Sequence, residues 1–470
     1  MAFLLSALLL LASPQTEQDV KHPVTGVFKG DIKDPVKKDV IMKVAMQAPS
    51  KLPEHKVLGL IVLHHGFNGN ENNYFGGAVE CAKRLGLSDQ YVIIAGKSRG
   101  AGWEKSDDEY VLRLIQWAKD TYPIDPRRVY EWGSSNGAAF VGRFGWHHQD
   151  LFAAVVGYCG SYNSFQDPPE CYKAKPGLPG PAAETKTEWY FVHGGNDNPD
   201  NSRKALDALK QKGYRGVFRK LDGYGHTDIW DGQGHPDLKL VDAVRDDWFL
   251  FMHSLRHKEI APSKEEKTAL AGMPGKIKSD KALVAEAARI GGVPASKAID
   301  GAFDSTEADV RLAAADSTEK TFYSKELLIE LVKLTKDKSE EMRLAALRGL
   351  GMASNYRHPE AQDTLVRLAR TKSLAPADRV AAVEGLGRTV KLMLPGNFED
   401  KAILWTMVTL LDDDELKIRE AAFAAFPVFK EFVKETYDYK PDLPTAERKA
   451  SVAKWKNWCS KVAGPLEGKP

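Results

Sequence analysis

The sequence has few cysteines, almost no excess charge and no long apolar stretch. No stretch approaches the about 20 apolar residues that a membrane-spanning helix needs. The formal net charge is only +2, which does not indicate a nucleic-acid partner. The 470 residues, 43% of them apolar, are enough for two or three globular domains. The spacing of the few cysteines fits no metal-ligand pattern; they are Cys81, Cys159, Cys171 and Cys459.

Residues 1–14 form a short apolar segment that is followed by polar sequence. This pattern predicts a signal peptide, and therefore a secreted or periplasmic protein with no membrane span after processing. The segment lacks a basic start and an A-x-A site, so a buried N-terminal helix is the alternative. In an exported protein Cys159 and Cys171 could pair, although buried thiols explain them equally well.

Apolar strands and amphipathic helices alternate along the first half of the chain. Such alternation predicts a mostly parallel sheet with helices on both faces, an α/β fold. We expect helices near 78–85, 106–122 and 235–254. The strands are expected at 40–46, 58–63, 91–95, 129–132, 153–158, 188–192 and 216–221.

The sequence Gly133-Ser134-Ser135-Asn136-Gly137 has the spacing G-x-S-x-G. After a strand and before a helix, this spacing is typical of a nucleophile elbow, a tight turn that exposes the serine hydroxyl. The backbone N–H of Asn136 would then point towards a developing oxyanion. An ordinary glycine-serine turn is the alternative, so the context has to decide.

Titratable residues that follow later strands supply the partners such a serine needs. Asp197 comes after the strand at 188–192, and His226 after the strand at 216–221. The order Ser135, Asp197, His226 is that of a Ser-acid-His triad in a sheet whose strand ends meet at one edge. Taken singly, each of these residues could be an ordinary loop residue.

The stretch His64-His65-Gly66-Phe67 follows another strand, and the backbone N–H of Phe67 would be the second oxyanion donor. The two histidines could also suggest a metal pair. Neighbouring residues of an extended chain point to opposite faces, so we expect no metal site here and no cofactor.

Together these segments resemble the esterases grouped around polyhydroxybutyrate depolymerase, feruloyl esterase and acetylxylan esterase. The resemblance covers residues 35–256 and is carried by His65-Gly66, 122–130, 133–137, 193–197 and 223–230. It implies an α/β-hydrolase fold and a triad of Ser135, Asp197 and His226. Asn198-Pro199-Asp200-Asn201 departs from the usual residues after the acid, which makes Asp200 a rival.

Aromatic residues on the predicted active-face loops could stack on an aromatic acyl group or a sugar ring. The candidates for substrate binding are Trp103, Tyr162 and Trp230.

The composition changes after residue 256. A charged linker with Pro and Gly is predicted at 257–280, followed by an all-α domain at 281–470. Related sequences recur there about every 30 to 40 residues, which resembles HEAT repeats, with a non-repeating helical bundle as the alternative. The recurring stretches are 310–314, 342–346, 379–382 and 418–422. We expect this half to bind a protein or polymer and to be separable from the first half.

The leading functional prediction is a serine esterase for feruloyl or acetyl esters of polysaccharides, or for polyester-like substrates. The alternatives are a serine peptidase of the same fold, because a triad does not distinguish an ester from an amide, and a non-catalytic scaffold.

Overall fold

The computed structural model describes residues 23–54, 57–162, 187–221, 224–226, 238–319, 325–356, 358–392, 401–426 and 438–465. The predicted signal peptide at 1–14 and Cys171 lie outside these residues. Export therefore stays a prediction. Of the two alternatives for Cys159, a disulfide with Cys171 or a buried thiol, the structure has the buried thiol.

Eight strands form one sheet in the order β1-β2-β4-β3-β5-β6-β7-β8. Strand β2 runs antiparallel to β1 and β4, and the other neighbouring pairs are parallel. This mostly parallel, mixed sheet confirms the predicted α/β-hydrolase fold. The strands are β1 Gly26–Lys33, β2 Val40–Ala48, β3 Leu58–His64, β4 Tyr91–Gly96, β5 Ile124–Ser134, β6 Ala154–Tyr158, β7 Glu188–Gly194 and β8 Gly216–Leu221.

Helices cover both faces of this sheet, and in the part of the chain described after β8 only helices follow, up to residue 463. None of the described helices is long and apolar enough to cross a membrane. They are α1 Phe75–Arg84, α2 Asp108–Thr121, α3 Asn136–His147, α4 Pro199–Gln211, α5 Leu238–Ser254, α6 Lys264–Ala271, α7 Lys281–Ile290, α8 Gly292–Ala302, α9 Ala308–Ser317, α10 Lys325–Leu334, α11 Glu340–Asn355, α12 Pro359–Arg370, α13 Pro376–Leu392, α14 Lys401–Leu410, α15 Leu416–Ala424 and α16 Thr445–Ala463.

Two hydrophobic cores lie on the two faces of the sheet. The first is formed with α2, α3 and α4 through residues such as Leu114, Phe140 and Leu206. The second is formed with α1 and α5, includes Trp132 and Trp248, and continues without a break into the helical half. The two halves therefore share one core.

A buried polar network joins the two halves. Arg219 of β8 donates from Nε to Asp247 of α5 (3.0 Å) and from Nη2 to the Asn355 carbonyl oxygen (3.0 Å). The side-chain amide of Asn355 in turn donates to Asp247, the same carboxylate that Arg219 binds (2.7 Å). Elsewhere in the contact between the two halves, Arg256 donates from Nε to the Ile290 carbonyl oxygen (3.1 Å). Buried charges without such partners cost several kcal/mol.

The predicted linker at 257–280 contains the helix α6, which is joined to the first half through its one buried residue. Its Glu266 is 5% exposed and forms an ion pair with the buried Arg127 of β5 (2.7 Å). Ser263 and Glu266 also form a capping box at the start of the helix. Proline and charge in the sequence suggested a spacer, but this segment is part of the interface.

We expect a protein truncated after residue 258 to be poorly folded, because Arg219, Asp247 and Phe251 would lose their contacts with Asn355 and Tyr356. This reverses the separability expected from the sequence. Thermal unfolding and solubility of the truncated and full-length chains would test it. A truncated chain with an unchanged melting temperature and undiminished activity on a small ester would contradict it.

Within the helical half, arginines connect each segment to the next. Arg343 of α11 donates to Asp378 (2.8 Å), and Arg379 of α13 donates to Asp413 (2.6 Å), at sequence separations of 35 and 34 residues. Arg343 and Arg419 each also donate to the carbonyl oxygen six residues earlier. The described residues of this half form helices and no strand, as predicted, and its HEAT-like relationship stays a prediction.

Candidate active site

Ser135 lies in the sharp turn between β5 and α3. Its backbone has φ 54° and ψ −116°, in a region that residues with a side chain rarely adopt. A Cβ on Gly133 would lie 2.2 Å from the Gly137 carbonyl oxygen, and a Cβ on Gly137 would lie 2.4 Å from the His64 carbonyl oxygen. Both glycines are therefore required for strand and helix to approach, as the spacing G-x-S-x-G indicated.

Gly137→Ala is expected to lower the free energy of unfolding by about 3 kcal/mol, because backbone atoms rather than a movable side chain block the new methyl group. Urea unfolding would measure this change. Gly76→Ala in α1 is the matched control, since no atom lies within 4 Å of its added Cβ. A neutral Gly137→Ala would mean that the elbow is more open than described.

The structure brings Ser135, His226 and Asp197 together in one chain of hydrogen bonds. The Ser135 hydroxyl and His226 Nε2 are 2.8 Å apart, and His226 Nδ1 and Asp197 Oδ2 are 2.6 Å apart. His226 is 44% exposed and so faces solvent at the strand ends. This arrangement allows His226 to take the Ser135 proton while Asp197 holds the ring.

Asp197 is the only carboxylate in contact with His226 among the residues that the structure describes. Partial burial acts to raise its pKa, but hydrogen bonds and charge from His226 and His193 outweigh this, so the pKa lies below the usual value. The rival Asp200 is instead exposed and paired with Arg203 (3.0 Å). Asp197 is thus ionised where a triad needs it.

His193 is a second histidine in contact with Asp197, and its role is not apparent from the sequence. Its Nε2 lies 2.8 Å from Asp197 Oδ2, and its Nδ1 lies 2.7 Å from the Ser202 hydroxyl. Burial lowers the pKa of His193, which keeps the ring neutral. With its one proton on Nε2, His193 donates to Asp197 and accepts from Ser202. It therefore fixes the carboxylate that orients His226.

His193→Leu is expected to lower kcat by about tenfold or more with little change in KM, because Asp197 loses one of its two histidine donors. His193→Gln, whose amide can still donate, should recover part of the loss. Ester kinetics over a range of pH with both variants would measure this. Equal losses that follow equal drops in melting temperature would show that His193 only fills space.

His65 fixes the backbone of the predicted oxyanion loop. Its Nε2 accepts from the Ser98 N–H (3.0 Å), so the proton is on Nδ1, which donates to the Gly66 carbonyl oxygen (2.6 Å). Burial lowers the pKa of His65, so this neutral form persists. In a trans peptide the N–H points opposite to the carbonyl, so the Phe67 N–H is directed away from His65. Gly66 itself lies beside Ser135, since a Cβ added to Gly66 would be 3.3 Å from the Ser135 Cβ.

Asn136, the other predicted oxyanion donor, is the first residue of α3. The first N–H groups of a helix have no acceptor within it, so this one is available at the positive end of the dipole. The Asn136 side chain is held by the backbone of Trp103, whose main-chain N–H donates to Asn136 Oδ1 (2.5 Å). Side chain and helix start together keep the Asn136 backbone in place.

Two of the three predicted substrate-binding aromatics are buried, which corrects the prediction. Trp103 is 1% exposed and packs on His64 and Phe140, and Tyr162 is 1% exposed and packs on Phe191. Neither presents a ring face to a ligand. Trp230 lies outside the described residues. Among the described residues, an aromatic side chain that does face solvent beside the site is Phe67, which is 65% exposed.

A buried acid-histidine pair lies beneath the elbow. Glu131 Oε1 and His64 Nε2 are 2.9 Å apart with both side chains fully buried, but the contact lacks the angles of a hydrogen bond. Burial raises the pKa of Glu131 well above and lowers that of His64 well below their usual values. Both groups are therefore neutral and support the core under Ser135.

Cys159 also lies at this edge. Its Sγ, a carboxylate oxygen of Asp197 and a ring nitrogen of His226 all lie within 4.8 Å of one another. These are three potential metal-ligand atoms, which the spacing of the cysteines in the sequence did not indicate.

Comparisons with known proteins give no family. No protein-family profile and no curated protein matches this chain. Among solved structures, a ferulic acid esterase has 17% identity and a TM-score of 0.34, covering 43% of this chain and 90% of its own. Est1E from Butyrivibrio proteoclasticus has 15% identity and a TM-score of 0.35, covering 48% and 99%. An S-formylglutathione hydrolase (FrmB) from Staphylococcus aureus has 15% identity and a TM-score of 0.37, covering 49% and 98%. Values this low do not identify a function.

Proposed function

We propose that this protein is a serine hydrolase that cleaves carboxylic esters through an acyl-enzyme. The proposal rests on one observation, the continuous hydrogen bonding from Ser135 through His226 to Asp197. A serine hydroxyl is only a weak nucleophile at neutral pH, and a histidine held by a carboxylate supplies the base that activates it.

In this mechanism Ser135 Oγ attacks the ester carbonyl carbon while its proton passes to His226 Nε2. The negative charge that develops on the carbonyl oxygen is stabilised by the N–H groups of Phe67 and Asn136. His226 then returns the proton to the departing alcohol, and a water molecule repeats the sequence to release the acid. Asp197 stabilises the imidazolium and stays ionised throughout.

For the substrate class we propose feruloyl or acetyl esters carried by a polysaccharide, or polyester-like chains. The exposed Phe67 ring offers an apolar surface beside the nucleophile, and the exposed position of His226 suits an ester held at the surface of a larger molecule. The helical half would contribute affinity for such a polymer or for a protein partner. Export, which the segment at 1–14 predicts, would bring the enzyme to such substrates.

A fluorophosphonate probe and a substrate panel test this function. We expect covalent labelling of Ser135 and hydrolysis of p-nitrophenyl acetate and methyl ferulate, with little cleavage of a peptide panel. Labelling together with preferential peptide cleavage would indicate a peptidase instead. Absence of both labelling and turnover would refute the proposal and would favour the alternative of a non-catalytic scaffold.

A further inference from the structure

Cys159 is built into the same edge of the sheet as the catalytic loops. It directly follows β6, just as Asp197 follows β7 and His226 follows β8. Its N–H donates to the Val192 carbonyl oxygen of β7 (2.8 Å), and its backbone has a φ of 52°. The residue is only 3% exposed, so its position is fixed by the strands.

The three side chains carry different ligand atoms at close range. A thiol sulfur, a carboxylate oxygen and an imidazole nitrogen lie within 4.8 Å of one another. Around a tetrahedral Zn²⁺, neighbouring ligand atoms are about 3.3–3.8 Å apart, given bond lengths of about 2.0–2.3 Å. Movements of about an ångström would therefore close the group around an ion. Asp197 and His226 are partly exposed, which leaves the ion a way in.

We propose that Cys159, Asp197 and His226 form an inhibitory binding site for a soft divalent cation such as Zn²⁺. The proposal rests on the proposed function in one respect, the catalytic roles of His226 and Asp197. Thiolate and imidazole favour Zn²⁺, whereas Mg²⁺ and Ca²⁺ prefer oxygen ligands, so the site discriminates between these classes of ion.

Binding and catalysis exclude each other at this site. On binding, the Cys159 thiol loses its proton to solvent and the sulfur forms a bond to the ion, with water as the fourth ligand. His226 uses one ring nitrogen for Asp197 and the other for Ser135. Whichever nitrogen binds the ion, one of these two hydrogen bonds is lost. The ion therefore disables the base without touching Ser135.

Metal binding can be measured without turnover in the full-length Ser135→Ala protein. Titration calorimetry with ZnCl₂ is expected to give one site, and MgCl₂ none. Adding Cys159→Ala should weaken Zn²⁺ binding at least about tenfold. Cys459→Ala, which changes a buried cysteine of the helical half, is the matched control and should bind like the parent. Co²⁺ in place of Zn²⁺ should give thiolate charge-transfer absorption only while Cys159 is present.

The second readout is inhibition of ester hydrolysis. Zn²⁺ should inhibit the protein with its native Ser135, and Cys159→Ala, with a parental melting temperature, should need at least about tenfold more Zn²⁺. Cys159→Ser serves if the alanine variant folds poorly. Equal Zn²⁺ affinity with and without Cys159 would overturn the proposal. One-site Zn²⁺ binding in a protein that hydrolyses no ester would support the metal site and refute the esterase. An active esterase that binds no Zn²⁺ would support the proposed function and refute the metal site.

Discussion

Ser135→Ala is expected to lower kcat/KM for a small ester by about 10⁴-fold or more, while the melting temperature stays close to that of the parent. The variant lacks the atom that forms the covalent bond to the substrate, so the oxyanion donors and the binding surface are all that remain. The hydroxyl reaches His226 at a solvent-facing position, so its loss removes little folding energy. Steady-state kinetics and thermal unfolding measure the two effects separately.

Ser134→Ala is the matched control, since Ser134 is the preceding residue but ends β5 with its side chain buried. This variant should keep the parental kinetics within a few-fold. Loss of activity in Ser134→Ala together with an active Ser135→Ala would exchange their roles and remove the basis of the proposed mechanism.

Asp197→Asn is expected to lower kcat by about 10⁴-fold with KM nearly unchanged. Asparagine keeps the shape of the side chain, but its amide cannot stabilise the imidazolium. An amide nitrogen turned towards His226 would also favour the wrong ring tautomer. Because Asp197 binds His193 as well, one substitution disturbs two histidines. Burst-phase kinetics with a p-nitrophenyl ester would show whether acylation is the step that slows.

Asp200→Asn serves as the comparison, because Asp200 is exposed and pairs only with Arg203 among the contacts described. It should retain most of the parental activity. A crippled Asp200→Asn beside a near-normal Asp197→Asn would show that the acid comes from the other end of the loop in the working enzyme.

The sequence predicted the sheet and the meeting of Ser135, Asp197 and His226 because both depend on local patterns. Apolar strands such as β3 are buried along their whole length, and glycines mark the turn around Ser135. Strand β1 was not predicted, since only one of its residues is buried at this edge of the sheet and its few apolar residues are separated by glycine, lysine and aspartate. Local pattern has little information about strands of this kind.

The remaining errors concern contacts between residues distant in sequence. Trp103 follows a glycine-rich loop, and nothing in its neighbours shows that the ring folds back onto His64 and Phe140. His193 lies in the segment 193–197 that carries the resemblance, but its role depends on Asp197 turning back towards it. The buried polar network around Arg219 likewise cannot be predicted from the sequence, because its partner Asn355 lies 136 residues away.

The arginine pairs of the helical half have a consequence for how this chain could have grown. Asp378 accepts from the preceding segment and its neighbour Arg379 donates to the following one, at almost the same sequence offset. A gene duplication that copied one such segment would copy both a donor and an acceptor, so the new unit would already fit its neighbours. A duplication or deletion of any other length would leave a buried arginine facing the wrong residue. Selection would therefore lengthen or shorten this half only by whole segments of about this length. Such changes would fall away from Asn355, which contacts the first half.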